Sequence, residues 1–185
     1  MKKVSFVLLA YNQSGFIESA IRSALEQDYE NIEYIFSDDC SNDDTFEIIE
    51  RVCAQYPHKN IILNRNEKNS GISQHVNVAL SKATGEIIAI AAGDDLSLPS
   101  RVSQAVECFI RNEQVSFLSF NDEKIDESGE KIGRLSDLES DQRFTLADYT
   151  SGKKIVTSGA SRVFRRSIID SFDALEPTCP TEDTP

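Results

Sequence analysis

No stretch of this 185-residue chain approaches the 18 or so apolar residues that a bilayer-spanning helix needs, so no membrane segment is expected in it. The opening "MKKVSFVLLA" sets two lysines before an apolar run, as a leader peptide would. That run stops at Tyr11-Asn12 without a small-residue cleavage site and reads as a first strand. Basic residues are scarce: 19 Lys and Arg against 31 Asp and Glu leave a formal charge of −12. Such a surface argues against nucleic-acid backbones and anionic membranes, and an anionic ligand would need a cation between itself and the protein. The four cysteines (Cys40, Cys53, Cys108, Cys179) form neither a CxxC nor a metal-ligand spacing, and read as small reduced thiols of a cytosolic protein. Two nucleotide-binding signatures are missing as well. "YNQSGF" offers one glycine where a dinucleotide fold wants G-x-G-x-x-G, and no G-x-x-x-x-G-K-[ST] occurs. A receiver domain would want acids after the first strand, where Ala10-Tyr11-Asn12 stand instead.

What is present alternates regularly. Val4 to Ala10 is a near-continuous apolar strand, and Ser14 is expected to cap a helix whose Ile17, Ala20, Ile21, Ala24 and Leu25 recur at helical spacing. Ile32 to Ser37 reads as a second strand. Ser41, Asn42 or Asp43 would cap the next helix, with Phe46, Ile49, Val52 and Cys53 inward. Ile61 to Asn64 reads as a short third strand. Ser70-Gly71 opens a helix carrying Ile72, Val76, Ala79, Leu80 and Ala83, with Gly85 at its C′ end. Glu86 to Ala91 is the fourth strand. Pro99 suits the first turn of a helix with Val102, Ala105, Val106, Phe109 and Ile110 on one face, and Val115 to Phe120 is the fifth strand. Apolar strands alternating with amphipathic helices imply an α/β fold, a mostly parallel sheet covered on both faces. After Asn121 the pattern changes: "KIDESGEKI" reads as a hairpin, 134–141 as a polar loop and "LADYT" as a helix. A strand near Ser161 to Phe164 and a helix from Arg166 to Phe172 follow.

In an open α/β sheet, ligands bind outside the carboxyl ends of the strands. Three strands end there in "AYN", "SDDCSND" and "AGDDLSLP", so Asp38, Asp39, Asp94 and Asp95 converge on one edge. Asp43 and Asp44 read as acids of a first helical turn. Asp38 and Asp39 stand equally as ligand groups or loop acids. Asp94 and Asp95 are the stronger candidates, because Ala91, Ala92 and Gly93 leave room for a close ligand. Extended neighbours point opposite ways, so one carboxylate can meet ligand hydroxyls while the other holds a hard divalent cation shared with phosphates and water. Tyr11 offers a flat face to a base, or is a half-buried surface aromatic.

Five segments in order, "VSFVLLAYNQSGFIESAIRSALEQ", "SDDCSNDDT", "NEKNSGISQHVNVAL", "ATGEIIAIAAGDD" and "LPSR", resemble the family 2 glycosyltransferases. The resemblance implies a GT-A (Rossmann-like) fold, with residues 1–121 as the nucleotide-sugar-binding part and 122–185 beginning a smaller mixed acceptor-side region. It implies a base pocket lined by Ala10, Tyr11 and Asn12, with Asp39 hydrogen-bonding the base, typically uracil. Asp94 would take the ribose or sugar, and Asp95 would ligate Mn²⁺ or Mg²⁺ at the diphosphate. Asn69 and Gly71 match a segment near the donor. His75 in that segment reads as a solvated helix-face histidine, while Arg101 either matches a basic residue often seen after the metal motif or is a surface helix residue, and carries no assigned role. Ala92 stands where the family often has a further Asp, which weakens metal affinity or leaves Asp95 as the sole direct protein ligand. "PTEDTP" resembles the Glu-Asp motif, with Asp183 as general base, although the sequence ends two residues later.

The activity so implied is transfer of a sugar, with inversion and metal assistance, from a UDP-sugar or similar donor to a saccharide or lipid-linked saccharide. Polysaccharide or cell-surface glycan synthesis would be its setting. The expected location is the cytoplasm, or the inner face of the membrane as a peripheral part of a longer protein. Two alternatives stand beside it: a non-catalytic nucleotide-sugar-binding fragment, and a nucleotidyltransferase, whose Gly-rich basic stretch after the first strand is missing here.

Overall fold

The computed structural model describes residues 1–134, 142–152, 159, 161–171 and 175. Its centre is β1 (Val4–Ala10), buried along its whole length. Beside it run β2 (Ile32–Asp38), also buried throughout, and β4 (Ile87–Ala92), both parallel to it; β3 (Asn60–Arg65) adds parallel to the far side of β2. A strand buried on both faces needs apolar residues at odd and even positions alike, which is why these segments show no polar alternation.

The pleat sends alternate residues to two cores. Val4, Phe6 and Leu8 pack with α1 (Ile17–Leu25), α2 (Thr45–Cys53) and α4 (Arg101–Arg111). Val7, Leu9, Ile35 and Ile88 pack with α3 (Ile72–Lys82), through Ala79, and with residues of β8 (Arg162–Arg165) and α6 (Arg166–Asp170). Residues of the first helix repeat at the expected spacing, and Ile17, Ala20, Ile21, Ala24 and Leu25 are all buried.

The sheet order is β3-β2-β1-β4-β8-β5, with β5 at Phe117–Ser119. β8 is antiparallel to both neighbours, so a strand from beyond residue 121 is inserted between the fourth and fifth. β6 (Glu123–Ile125) and β7 (Lys131–Arg134) form the hairpin expected from "KIDESGEKI", and α5 (Leu146–Thr150) is the "LADYT" helix. The expected loop at 134–141 lies, but for Arg134, outside the described residues, as does Phe172.

Several local expectations change. The first helix begins after Phe16 with no side-chain cap, and Ser14, three residues ahead of its first residue, donates its N–H to Asp43 of the neighbouring loop. Asp43 and Asp44 precede α2 and are not inside its first turn. Pro99 likewise stands before α4, its carbonyl accepting from the Asp28 N–H at 2.9 Å. The third helix ends at Lys82 with Ala83 extended, so Gly85 is no left-handed cap. A Cβ there would lie 2.5 Å from the Ser5 nitrogen, and close approach to β1 is what requires glycine.

At the amino rim of the sheet, Glu33 is buried and saturated. It accepts from Ser5 Oγ at 2.5 Å, from the Thr84 N–H at 2.6 Å and from Lys3 Nζ at 2.5 Å. Burial alone would raise its pKa, but these donors outweigh it and hold the carboxyl at about 2.

Candidate functional site

Strand register aligns the opposite, carboxyl rim. Ala10 lies across from Asp38, Asp38 from Arg65, and Leu9 from Ala92. Each strand then continues by one backbone bond: Asp39 N–H to the Ala10 carbonyl at 2.9 Å, Asn66 N–H to Asp38 at 2.9 Å, and Gly93 N–H to Leu9 at 2.8 Å. With the order 3-2-1-4, the chain leaves β1 toward β2 on one side while β4 lies on the other. The crevice between β1 and β4 is therefore the switch point where a doubly wound sheet takes its ligand. Tyr11 and Asn12 leave β1 there, exposed. From β4 come Asp94, exposed, and Asp95, half-exposed.

The first two loops are fastened to each other by polar side chains. Ser41 Oγ accepts the Asn12 N–H at 2.8 Å, and Asn12 Oδ1 accepts the Asn42 N–H at 2.8 Å. Thr45 Oγ1 accepts the Gln13 N–H at 2.8 Å, and Asp43 accepts the Ser14 N–H at 3.0 Å as well as the Thr45 hydroxyl at 2.5 Å. Burial would raise the Asp43 pKa, but the Thr45 and Ser14 donors bring it to about 2. Asn12 and Cys40 adopt left-handed backbone, with φ of 52° and 62°. For Cys40 this costs on the order of 1 kcal/mol, held in place by the surrounding bonds.

The Asp38-Asp39 pair, open in the sequence to two readings, is committed to the chain itself. Asp38 is fully buried, takes the Ser41 N–H at 2.9 Å and the Ser41 hydroxyl, and lies 3.6 Å from Arg65 Nε. Asp39 Oδ1 accepts from Asn66 at 2.7 Å and from the Ser70 hydroxyl at 2.8 Å; its Oδ2 accepts the Gly71 N–H at 3.0 Å. Burial opposes its ionisation, yet the Asn66 and Ser70 donors win and its pKa is lowered. Asp39 thereby clamps the loop bearing Asn69 and Gly71. Both are exposed at the rim, Gly71 with φ of 78°, and Asn69 Oδ1 accepts the Gly71 N–H at 3.0 Å.

His75, expected at the surface, and Arg101, given no role in the sequence, are both buried. His75 is 2% exposed, with Nε2 2.8 Å from Ser37 Oγ; burial lowers its pKa against the opposing pull of Asp39 and Asp38. The helix face that carries it is turned onto β2, which the weak polarity of "SQHVN" did not reveal. Arg101 is 7% exposed at the start of α4. The space foreseen at Gly93 is also filled. A Cβ there would meet Gln13 Oε1 at 2.4 Å and Ile17 Cδ1 at 2.9 Å, so glycine lets the β1 and β4 exits close on each other. Ala10 is buried in the same joint. Asp183 and Cys179 lie outside the described residues. Gln13, Thr45 and Asn66 went unremarked in the sequence, and Ser41 and Ser70 were read only as helix starts, because polar loop residues carry no mark of which loop they will fasten.

Among the described residues no three His, Cys, Asp or Glu side chains gather as a metal cage. The donors at the β4 exit are carboxylate oxygens on an open rim, Asp95 beside Asp94. That set suits a hard cation that keeps waters and completes its shell with phosphate oxygens, and not a soft or fully caged metal. The residues fit Mn²⁺ or Mg²⁺ on those terms.

The family model of glycosyl transferase family 2 matches residues 5–172. The chain belongs to that family. It is 39% identical over 104 residues to the putative glycosyltransferase EpsE of Bacillus subtilis, covering 56% of this chain and 37% of that one. It is 36% identical over 117 residues to the UDP-Glc:alpha-D-GlcNAc-diphosphoundecaprenol beta-1,3-glucosyltransferase WfaP of Escherichia coli, covering 63% and 45%. The mannosyltransferase PcManGT of Pyrobaculum calidifontis, solved in complex with GDP-Man and Mn²⁺, superposes with a TM-score of 0.73 at 20% identity, over 96% of this chain and 48% of that one. The shared fold is GT-A. These alignments span between about a third and a half of each relative's length. Family membership sets the nucleotidyltransferase alternative aside.

Proposed function

We propose that the chain carries the donor side of an inverting, metal-assisted glycosyltransferase that uses a UDP-sugar and builds polysaccharide or cell-surface glycan. The observation that carries this reading is the placement of Asp94 and Asp95 at the β1/β4 switch point of a family 2 chain. The E. coli relative's name specifies UDP-Glc and a diphosphoundecaprenol-linked acceptor, and the similar archaeal structure holds GDP-Man and Mn²⁺. Both supports are consistent with a nucleotide-sugar donor and a saccharide or lipid-linked saccharide acceptor here.

In this reading Ala10, Tyr11 and Asn12 border the base, with the Tyr11 ring as its platform. Asp39 meets the base through Oδ2, which among the described residues accepts the backbone N–H groups of Ser70 and Gly71. Asn69 and Gly71 border the donor, and Asp94 takes ribose or sugar hydroxyls. Asp95 would hold the Mn²⁺ or Mg²⁺, which supplies neutralisation of charge on the departing diphosphate. The Asp183 carboxylate takes the proton of an acceptor hydroxyl. The hydroxyl oxygen then bonds to the anomeric carbon as the bond to the diphosphate breaks on the opposite face, inverting the centre. Such a base contributes about 10²–10⁴-fold. Residues 1–121 would serve the donor and 122–185 begin the acceptor side. No helix among the described residues is long and apolar enough to cross a membrane, and contact with a lipid-linked acceptor would be peripheral, at the cytoplasmic face.

The test is a thermal-shift screen of nucleotide sugars with Mn²⁺, in which a selective ligand stabilises the folded state by mass action. A UDP-sugar raising Tm only when Mn²⁺ is present is the expected result. No shift with any nucleotide sugar contradicts the proposal.

A further inference from the structure

We infer that Arg101 is the positioning residue of the β4 exit loop: one buried guanidinium grips the chain on both sides of Asp94-Asp95 and fixes how those carboxylates meet a diphosphate and its cation. The inference rests on reading this rim as a nucleotide-sugar site.

The grip is a set of hydrogen bonds from three elements. Arg101 Nη2 donates to the Ile90 carbonyl in β4 at 2.6 Å, ahead of the carboxylate pair, and to the Arg162 carbonyl in β8 at 3.2 Å. Nη1 donates to Ser97 Oγ at 2.9 Å, just beyond the pair. Ser97 is buried, and its own N–H is held by Ser23 Oγ of α1 at 3.0 Å. The Asp95 N–H closes the turn on the Ala92 carbonyl at 3.2 Å. The loop is thus tied at entry, turn and exit, and the Arg101 fork supplies the first and last ties.

The setting makes that fork hard to replace. The guanidinium lies over the Phe6 ring, 5.6 Å from its centroid, and Nε has no partner, so the group is satisfied only at its two Nη ends. Burial lowers its pKa to about 10, opposed by the carboxylates of Asp122 and Asp95. Asp122 follows β5, and its Oδ2 is buried without a hydrogen-bond partner among the described residues. A buried cation is costly unless several acceptors meet it. Lysine would keep the charge but not the planar fork that spans Ile90, Arg162 and Ser97.

The experiment compares the full chain with Arg101→Lys and Ser97→Ala. It uses hydrogen exchange of the 93–97 amides and Mn²⁺ titration in the presence of UDP by electron paramagnetic resonance. In Arg101→Lys the 93–97 amides are expected to exchange faster while those of α2 do not, and Mn²⁺ affinity to fall about tenfold, as when a metal ligand loses the group that orients it. Ser97→Ala should move both readouts the same way by a smaller factor, and it carries the test if the lysine variant does not fold. Wild-type exchange and wild-type Mn²⁺ affinity in a folded Arg101→Lys protein would overturn the inference. A wild-type chain that takes up no Mn²⁺ with UDP would instead overturn the metal reading. The exchange arm would then decide on Arg101, faster loop exchange supporting it and equal exchange refuting it.

Discussion

The two rims of the sheet both carry acids, and they use them differently. At the amino rim Glu33 is buried, and Lys3, Ser5 and Thr84 fill its oxygens, fastening β1, β2 and the approach to β4 together. At the carboxyl rim the acids divide. Asp38, Asp39 and Asp43 accept hydrogen bonds from the chain as Glu33 does, whereas Asp94 is exposed and Asp95 half-exposed at the crevice. Asp38 and Asp43 hold the loops together, Asp39 clamps a loop and in the proposed reading also meets the base through Oδ2, and Asp94 and Asp95 lie at the switch point itself. Sequence spacing does not separate the two kinds, because both occur as Asp-Asp pairs after a strand.

The contrast is broken most directly at Asp95. Asp95→Asn in the intact enzyme should reduce metal-dependent sugar transfer by about 10²–10³-fold, the scale on which a single electrostatic stabiliser is felt, in a protein that still folds. Undiminished transfer, measured as donor turnover with Mn²⁺, would remove Asp95 from the reaction. Glu33→Ala should do the reverse. It leaves Lys3, Ser5 and Thr84 without their acceptor and should cost about 3 kcal/mol by urea unfolding, as for a broken buried ion pair, while nucleotide affinity at low temperature is unaffected.

Gly93→Ala sharpens the comparison at the joint of the two strands. Its methyl must displace Gln13 and Ile17, an overpacking cost of about 1–3 kcal/mol, and UDP binding should weaken alongside stability. The smallest effect is in pH. Glu33 and Asp43, each near a pKa of 2 when folded, contribute stability that is whole above their ordinary 4.5 and 3.8 and is lost as pH falls toward 2. Buried His75, its pKa lowered from 6.5, acts with the same sign, since the unfolded chain takes the proton first and stability declines as pH drops below 6.5. His75→Gln should flatten that upper part of the acid profile, measured by Tm against pH, and leave the lower part in place.

The layered architecture was legible because burial on both faces of β1, β2 and β4 writes itself as mostly apolar runs, interrupted by Ser5 in β1 and Glu33 in β2, and α1, α2 and α4 show their stripes. What could not be read was direction and insertion. A short strand such as "RVFR" carries no sign that it will run antiparallel between β4 and β5. The candidate site was legible as a rim, since strand ends and paired acids locate it. The division of labour among its acids was not, because that depends on which distant donors arrive, as Asn66 and Ser70 do at Asp39. His75 was misplaced, and Arg101 left without a role, for a related reason: a polar residue on a helix reads as solvated until the partners that bury it are known.

Calorimetric titration of UDP into the wild-type chain and Asp95→Asn, each with and without Mn²⁺, tests the central claim most directly. Mn²⁺ should raise UDP affinity at least about tenfold in the wild type, as expected when a diphosphate completes the shell of a cation held by one carboxylate, and the gain should disappear in the variant. Equal UDP affinity in the wild type with and without Mn²⁺, or an undiminished gain in Asp95→Asn, would contradict that claim.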